Sequence, residues 1–278
     1  MRILIFGATG LLGKELLREW SGDSVIGLGS RDADLCDAAR VAAVIQEHPP
    51  DWIVLAAAYT DVDGCESNHE KAFAVNRDGA LNVARAAKQA GARLIFLSSD
   101  YVFDGTKRTP YQIDDPRNPQ SVYGRSKAEA ETGLLQSMPA ACIVRTSWLF
   151  GNGGKCFPDT ILKLAATRPA LDVVNDQRGC PTYAVDLARA LIQLCRQDAR
   201  GVVHVTNTGD CTWYEFAGEI VRGSNLATAV RPASSEQMRR PAPRPAYSVL
   251  SAASLLNFGV HMPSWQDALR RYLRERRG

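Results

Sequence analysis

Tyr123 and Lys127 stand four residues apart in Ser121-Val122-Tyr123-Gly124-Arg125-Ser126-Lys127, just ahead of the helix-favouring run 128–135. In a helix this spacing puts a phenol and an ammonium on one face. A phenol with an unperturbed pKa of about 10 donates poorly to a developing alkoxide at neutral pH, and a nearby positive charge shifts it toward the working range. The pair is a candidate general acid with its tuner. Such pairs also decorate solvated helices, so their neighbours decide the reading.

Those neighbours begin with the apolar run 2–6, which delivers Gly7-Ala8-Thr9-Gly10-Leu11-Leu12-Gly13, followed by Leu12, Leu16, Leu17 and Trp20 at helical spacing. At a first strand-to-helix turn, Gly7, Gly10 and Gly13 let the backbone approach a pyrophosphate, whose charge then sits at the helix N-terminus. The strand 24–28 ends in Gly29-Ser30-Arg31, without the acid that grips ribose hydroxyls in NAD-selective folds. Arg31 suits a 2′-phosphate, which favours NADPH, and it reads equally as a solvated charge. Asp34 and Leu35 either flank the adenine or, for Asp34, cap the helix that runs to about Glu47.

The continuous apolar run 52–58 predicts a strand buried on both faces, and its small end, Ala56-Ala57-Ala58, lets a cofactor lie against the backbone below Tyr59 and Thr60. Residues 69–90 predict one long helix with Ala72, Val75, Leu81 and Ala84 inward and Asn76 as a polar intruder. The fourth strand, 93–98, runs into Ser98-Ser99-Asp100. Ser99 is a candidate donor to a substrate oxygen, or else a cap or turn residue. A proline-rich loop, 111–119, leads to the helix of Tyr123 and Lys127.

Beyond the strand 141–146 the regular alternation stops. A loop at 152–155, a helix at 159–167 and a strand at 171–174 read as part of a substrate lid, and 183–196 as a helix returning to the main sheet. His204, in the alternating strand 202–206, reads as structural rather than as a base. Trp265, Ala268, Leu269, Tyr272 and Leu273 form one apolar helical stripe, with arginines 270, 271, 274, 276 and 277 as a solvated face. Arg231, Arg239, Arg240 and Arg244 are candidates to pair with an acidic ligand such as a diphosphate.

Composition narrows the partners. The 33 Lys+Arg against 30 Asp+Glu leave a net charge of +3, too little to argue for nucleic acid or an acidic membrane surface. Seven scattered cysteines without a Cys-x-x-Cys pair point to reduced thiols, with no zinc site and no disulfide framework. With no leader or long apolar stretch, a soluble, cytoplasmic protein is expected. At 278 residues a main domain with a smaller companion is the preferred division.

The glycine turn, the hydroxyl after the fourth strand and the Tyr-x-x-x-Lys helix together resemble the short-chain dehydrogenase/reductases. Ala57-Ala58-Tyr59-Thr60-Asp61-Val62-Asp63, Ser98 to Gly105, Arg145-Thr146-Ser147-Trp148-Leu149-Phe150-Gly151, Asp176 to Tyr183, Trp213 to Ala217 and Arg240 to Pro245 are similar to the dTDP-4-dehydrorhamnose reductase family, of the extended type. The likeness runs from near residue 3 to about 270.

It implies an α/β fold: a Rossmann-type doubly wound parallel sheet, residues 1–147 and about 175–200, with a smaller C-terminal substrate-binding domain from about 148–174 and 201–278. The implied reaction is the last step of dTDP-L-rhamnose synthesis, in which NADPH, or often NADH, reduces the 4-keto group of dTDP-4-dehydro-β-L-rhamnose. Rhamnose then serves bacterial cell-surface polysaccharides. Position by position, Gly10, Leu11 and Leu12 would cradle the cofactor phosphates, Asp34 and Leu35 the adenine, and Ala58, Tyr59 and Thr60 the dinucleotide. Tyr123 would protonate the carbonyl oxygen, while Lys127 would hold the nicotinamide ribose and favour tyrosine ionisation. Ser99 and Asp100 would contact the sugar and Trp148 the nucleotide-sugar.

Ser99 stands where the family usually has threonine, which keeps the hydroxyl, and Gly29 replaces an acid that some members carry. Glu15 alone does not decide whether magnesium bridges a homodimer, as in some members. Two other readings share these motifs: an epimerase or dehydratase of the same superfamily with tightly held NAD, and a non-catalytic regulatory subunit that binds dinucleotide.

Overall fold

The continuous apolar runs pair into one six-stranded parallel sheet. Its strands are β1 (Arg2–Phe6), β2 (Ser24–Leu28), β3 (Trp52–Leu55), β4 (Arg93–Ser99), β5 (Cys142–Thr146) and, further along the chain, β10 (Gly201–His204), in the order β10-β5-β4-β3-β1-β2. The computed structural model describes residues 1–276. Alternate residues of each inner strand enter opposite cores: Ile3 and Ile5 one, Leu4 and Phe6 the other. Burial on both faces is why these runs are apolar without alternation.

Helices α1 (Leu11–Glu19) and α8 (Ala184–Arg196) pack together over one face. The other face is covered by α2 (Ala38–Glu47), α5 (Gly79–Gln89) and α6 (Val122–Ser137). The short α3 (Val62–Ser67) and α4 (His69–Phe73) pack against α6. This is the doubly wound α/β architecture, and its direction reverses at β1, between β2 and β3, where such sheets open a ligand crevice.

The second half adds short strand pairs: β6 (Leu149–Phe150) with β9 (Thr182–Tyr183), β7 (Ala170–Val174) with β12 (Ala229–Ala233), and β8 (Arg178–Gly179) with β11 (Cys211–Thr212). With α7 (Phe157–Ala165), α9 (Trp213–Gly223) and α11 (Trp265–Glu275) they enclose a third core built on Phe150, Tyr183, Phe216 and Tyr272. The remaining helix, α10 (Ala253–Leu256), packs on β10.

Several expectations are corrected. Residues 69–90 are not one α-helix, because a π-helical turn, Ala74–Asp78, separates α4 from α5. Its cause is Asn76, whose side chain leaves the helix to accept from Tyr59 N (2.7 Å) and donate to Tyr59 O (3.1 Å) and Ser126 Oγ (3.0 Å). β3 stops at Leu55 rather than Ala58, because the Gly7 turn presses in: a Cβ on Gly7 would lie 2.6 Å from Ala57 N. The cap of α2 is Asp37, which accepts from Arg40 N at 2.9 Å, while Asp34 accepts from Cys36 N. The boundary expected at 201 falls before a strand of the main sheet, since β10 pairs with β5 from Gly201↔Cys142 to His204↔Arg145.

The stripe of α11 is buried as expected, but Arg271 is not on a solvated face. It forks onto Asp186 of α8 (2.9 and 2.6 Å) and bonds Asp267 (2.7 Å). Arg276 pairs with Asp159, and Arg277 lies outside the described residues. The seven cysteines are free thiols, and only Cys36 is exposed. No helix among the described residues is long and apolar enough to cross a membrane.

Candidate active site

The carboxyl ends of β1, β3, β4 and β5 open into a cavity of about 630 Å³ that holds most of the residues singled out by the sequence. Its floor is the glycine turn. Gly7 has φ +90°, which favours glycine, and a Cβ on Gly13 would sit 2.1 Å from Gly7 O. α1 therefore starts hard against β1, with Gly10 as an N-cap that offers no side chain and no acid in the first turn. Leu11 and Leu12 line the cavity at this positive end.

Gly29, Ser30, Asp34 and Leu35 form the wall beyond β2, but Arg31 is exposed and outside the lining. Asp32, outside the lining, accepts the Gly29 N–H on its Oδ2 at 2.7 Å. Ala58 and Thr60 line the next wall. Tyr59 between them does not: its backbone is clamped by Asn76 and its ring lies under Lys71 Nζ, 4.7 Å from the centroid.

Ser99, Asp100, Tyr123 and Lys127 meet at the centre. Ser121 caps α6 by accepting from Gly124 N (3.1 Å), which places Tyr123 and Lys127 in its first two turns, both nine-tenths or more buried. Ser99 is a cap residue. Its Oγ caps the turn Asp100–Val102 by accepting from Tyr101 N (3.2 Å), donates to Asp100 Oδ1 (2.8 Å), and hydrogen-bonds the Tyr123 phenol.

The electrostatics depart from the expectation. Burial, followed by the Asp100 charge, pushes the Tyr123 phenol above its usual range, with the Ser99 hydrogen bond opposing. Burial lowers the Lys127 ammonium to about 7, opposed by Glu131, and its Nζ lies 4.2 Å from the Phe96 ring centroid. Desolvation is the largest influence on both groups. Tyr123 carries its proton at neutral pH, as a general acid must. Burial also raises Asp100 to about 6, against hydrogen bonds from Ser248 and Ser99, and its Oδ2 is buried without a partner.

Trp148 lines the cavity in a left-handed conformation, φ +46°, unusual for a bulky residue. Its indole stacks on Trp213 at 3.4 Å between centroids and 5° between planes, and presses on Gly179, where a Cβ would fall 2.6 Å from Trp148 Nε1. Trp213 was not foreseen. The signal was there in Thr212-x-x-Glu215, a capping box that fixes Trp213 at the first turn of α9. Thr146, whose buried Oγ1 has no partner, and Lys155 also line the cavity unforeseen. The loop of Lys155 is tied to α1 by Lys14 Nζ, which donates to Gly153 O at 2.7 Å.

Arg244, a candidate for an acidic ligand, is paired within the protein. Its guanidinium forks onto Asp63 (2.5 and 2.9 Å) and hydrogen-bonds Tyr101, while Ala242 N donates to Asp63 Oδ1 (3.1 Å) and Arg240 joins at 3.5 Å. Together they strap the proline-rich segment onto α3. Arg231 and Arg239 are exposed. His204 is fully buried and lowered to about 3 by burial and by Arg145, which keeps it neutral.

The family described as RmlD substrate binding domain matches residues 1–277. The chain is 42% identical over 277 residues to the spore coat polysaccharide biosynthesis protein SpsK of Bacillus subtilis, covering 99% of this chain and 98% of that protein. It is 39% identical over 284 residues to the dTDP-4-dehydrorhamnose reductase of Sinorhizobium fredii, covering 98% and 96%. The crystal structure of dTDP-4-dehydrorhamnose reductase from Bacillus anthracis in complex with NADP superposes with a TM-score of 0.96 at 37% identity, covering 99% of each chain.

Proposed function

The chain belongs to the RmlD substrate binding domain family, and from that premise we propose that it is a dTDP-4-dehydrorhamnose reductase. It reduces the 4-keto group of dTDP-4-dehydro-β-L-rhamnose to dTDP-β-L-rhamnose with NADPH, the last step in making this sugar donor for cell-surface polysaccharide. The observation that carries the reading is the meeting of Tyr123, Lys127 and Ser99 in the same cavity as the glycine turn.

A dinucleotide fits what lines that cavity. The floor has no Cβ where a pyrophosphate must approach, and the N-terminus of α1 is left without a side-chain cap. Gly7, Gly10, Leu11, Leu12 and Gly13 would hold the phosphates, Asp34 and Leu35 the adenine, and Ala58 and Thr60 the middle of the molecule. When bound, NADPH supplies hydride. Tyr123 then gives its phenolic proton to the carbonyl oxygen as that oxygen becomes an alkoxide, with the Ser99 hydroxyl holding the oxygen in place. Lys127 stabilises the negative charge left on the phenol and holds the nicotinamide ribose. Asp100 accepts a sugar hydroxyl, and Trp148, backed by Trp213, packs against the nucleotide-sugar. The strand ends of the large sheet thus serve the cofactor, and the region around the third core serves the sugar nucleotide.

The test is NADPH oxidation followed by absorbance with enzymatically generated dTDP-4-dehydrorhamnose, against substrate-free and NADH controls. Rapid substrate-dependent oxidation with dTDP-rhamnose as product is expected, with NADH as a second donor. No oxidation by protein that still binds dinucleotide overturns the assignment. Sedimentation with and without Mg²⁺ tests whether two copies pair and whether the ion matters.

A further inference from the structure

Beneath the catalytic pair lies a group of buried charges that the reaction as written does not use. Tyr123, Lys127 and Glu131 follow one another at intervals of four along α6, and Glu131 is fully buried. Its carboxylate is saturated. Oε1 accepts from Arg145 Nε (3.0 Å) and Ser98 Oγ (2.5 Å), and Oε2 from Arg145 Nη2 (2.7 Å) and Arg117 Nη1 (3.2 Å). Arg145, 2% exposed, lies over the Phe103 ring, donates to Ile113 O (3.0 Å) and approaches the neutral His204 Nε2 (3.4 Å).

A buried ion cluster is by itself weak evidence of stabilisation. Apolar residues of similar volume commonly replace a buried ion pair without loss, so its presence asks for another use. Its placement supplies one, because three of its members adjoin residues of the site. Ser98 precedes Ser99 on β4, Arg145 precedes Thr146 on β5, and Glu131 stands one turn beyond Lys127.

We propose that Glu131, locked by Arg145, is a positioning residue for the reduction, setting the face of α6 that bears Tyr123 and Lys127 against Ser99. The inference rests on the catalytic reading of that pair. Glu131 is also the charge that opposes the lowering of Lys127 by burial. The other groups nearby act elsewhere: Asp100, Tyr101 and Cys65 bear on Tyr123, and Arg145 from β5 and Arg117 from the preceding loop bear on Glu131. Removing the Glu131 charge lowers the pH at which Lys127 loses its proton, and more so with Arg145 left unpaired.

The experiment compares Glu131→Gln, Glu131→Asp and the double variant Glu131→Gln with Arg145→Met in the full chain. It reads kcat against pH, NADPH affinity and Tm. Glu131→Gln is expected to lower kcat by about ten- to a hundredfold, because small misplacements at a reacting centre cost that much. Its alkaline limb should move about one pH unit lower, with NADPH affinity within about twofold. Should the single variant not fold, the double variant, which leaves no unpaired guanidinium at 145, carries the test. It should regain Tm while keeping the shifted limb, and Glu131→Asp should return toward wild type. A folded double variant with wild-type kcat and pH profile overturns the positioning role. Failure of the catalytic reading itself looks different: Tyr123→Phe would then turn over normally.

Discussion

Replacing Asn76 by alanine should cost both stability and cofactor affinity, because one side chain joins the cofactor loop to the catalytic helix. Its amide makes three hydrogen bonds, two to the Tyr59 backbone and one to Ser126 Oγ, in a site that is 1% exposed. At roughly 1 kcal/mol net per bond, with about 1–2 kcal/mol more for the backbone groups left dry, the loss comes to about 4–5 kcal/mol. For a chain of this size that corresponds to a fall in Tm on the order of 10 °C. The loop carrying Ala58 and Thr60 loses its anchor at the same time, so the Kd for NADPH should rise severalfold while the dTDP-sugar KM changes less. Thermal unfolding followed by near-UV circular dichroism and titration of NADPH fluorescence measure the two effects. A destabilisation under about 1 kcal/mol would show that water replaces the amide, and a normal NADPH affinity in a destabilised variant would refute the anchoring of the loop.

Tyr123→Phe should reduce turnover by on the order of a hundredfold or more and leave NADPH binding intact, as steady-state rates and fluorescence titration will show. Asp100 is raised to about 6 in the folded chain, against about 3.9 unfolded. Its contribution is therefore full below about pH 4 and is lost as pH rises through 6. Asp100→Asn should accordingly match wild type in denaturant midpoint at pH 4 and exceed it near pH 7.5, by up to about 3 kcal/mol. Arg244→Ala should release the proline-rich strap from Asp63, which limited proteolysis within residues 234–245 would detect, and raise the KM for the dTDP-sugar with little effect on that for NADPH.

What the sequence disclosed was local. The glycine spacing at 7, 10 and 13, the four-residue step from Tyr123 to Lys127 and the unbroken apolar strands each follow from short-range geometry, and all reappear in the fold. What it concealed joins distant residues. Asn76 was visible as a polar intruder, but its partners lie 17 and 50 positions away, so the π-helical turn could not be read from periodicity. Arg271 and Arg244 looked like solvated or ligand-facing charges because Asp186 and Asp63 are 85 and 181 residues off. The pull of burial was hidden for a related reason: residue types show which charges exist, whereas the largest influence on both Tyr123 and Lys127 is the depth at which folding buries them.

The fork between Arg271 and Asp186 has a consequence during synthesis. Because α11 contributes Trp265, Ala268, Leu269, Tyr272 and Leu273 to the third core and grips α8, which itself packs on α1, the two halves are joined by a helix that, among the described residues, follows all their other elements in the chain. The large sheet can gather while the chain is still growing, yet the apolar faces of α9 and β9 stay open until that helix arrives. A chain interrupted ahead of Trp265 would display this uncovered surface to chaperones and proteases, so the arrival of α11 decides whether the third core is sealed or left for the cell to degrade.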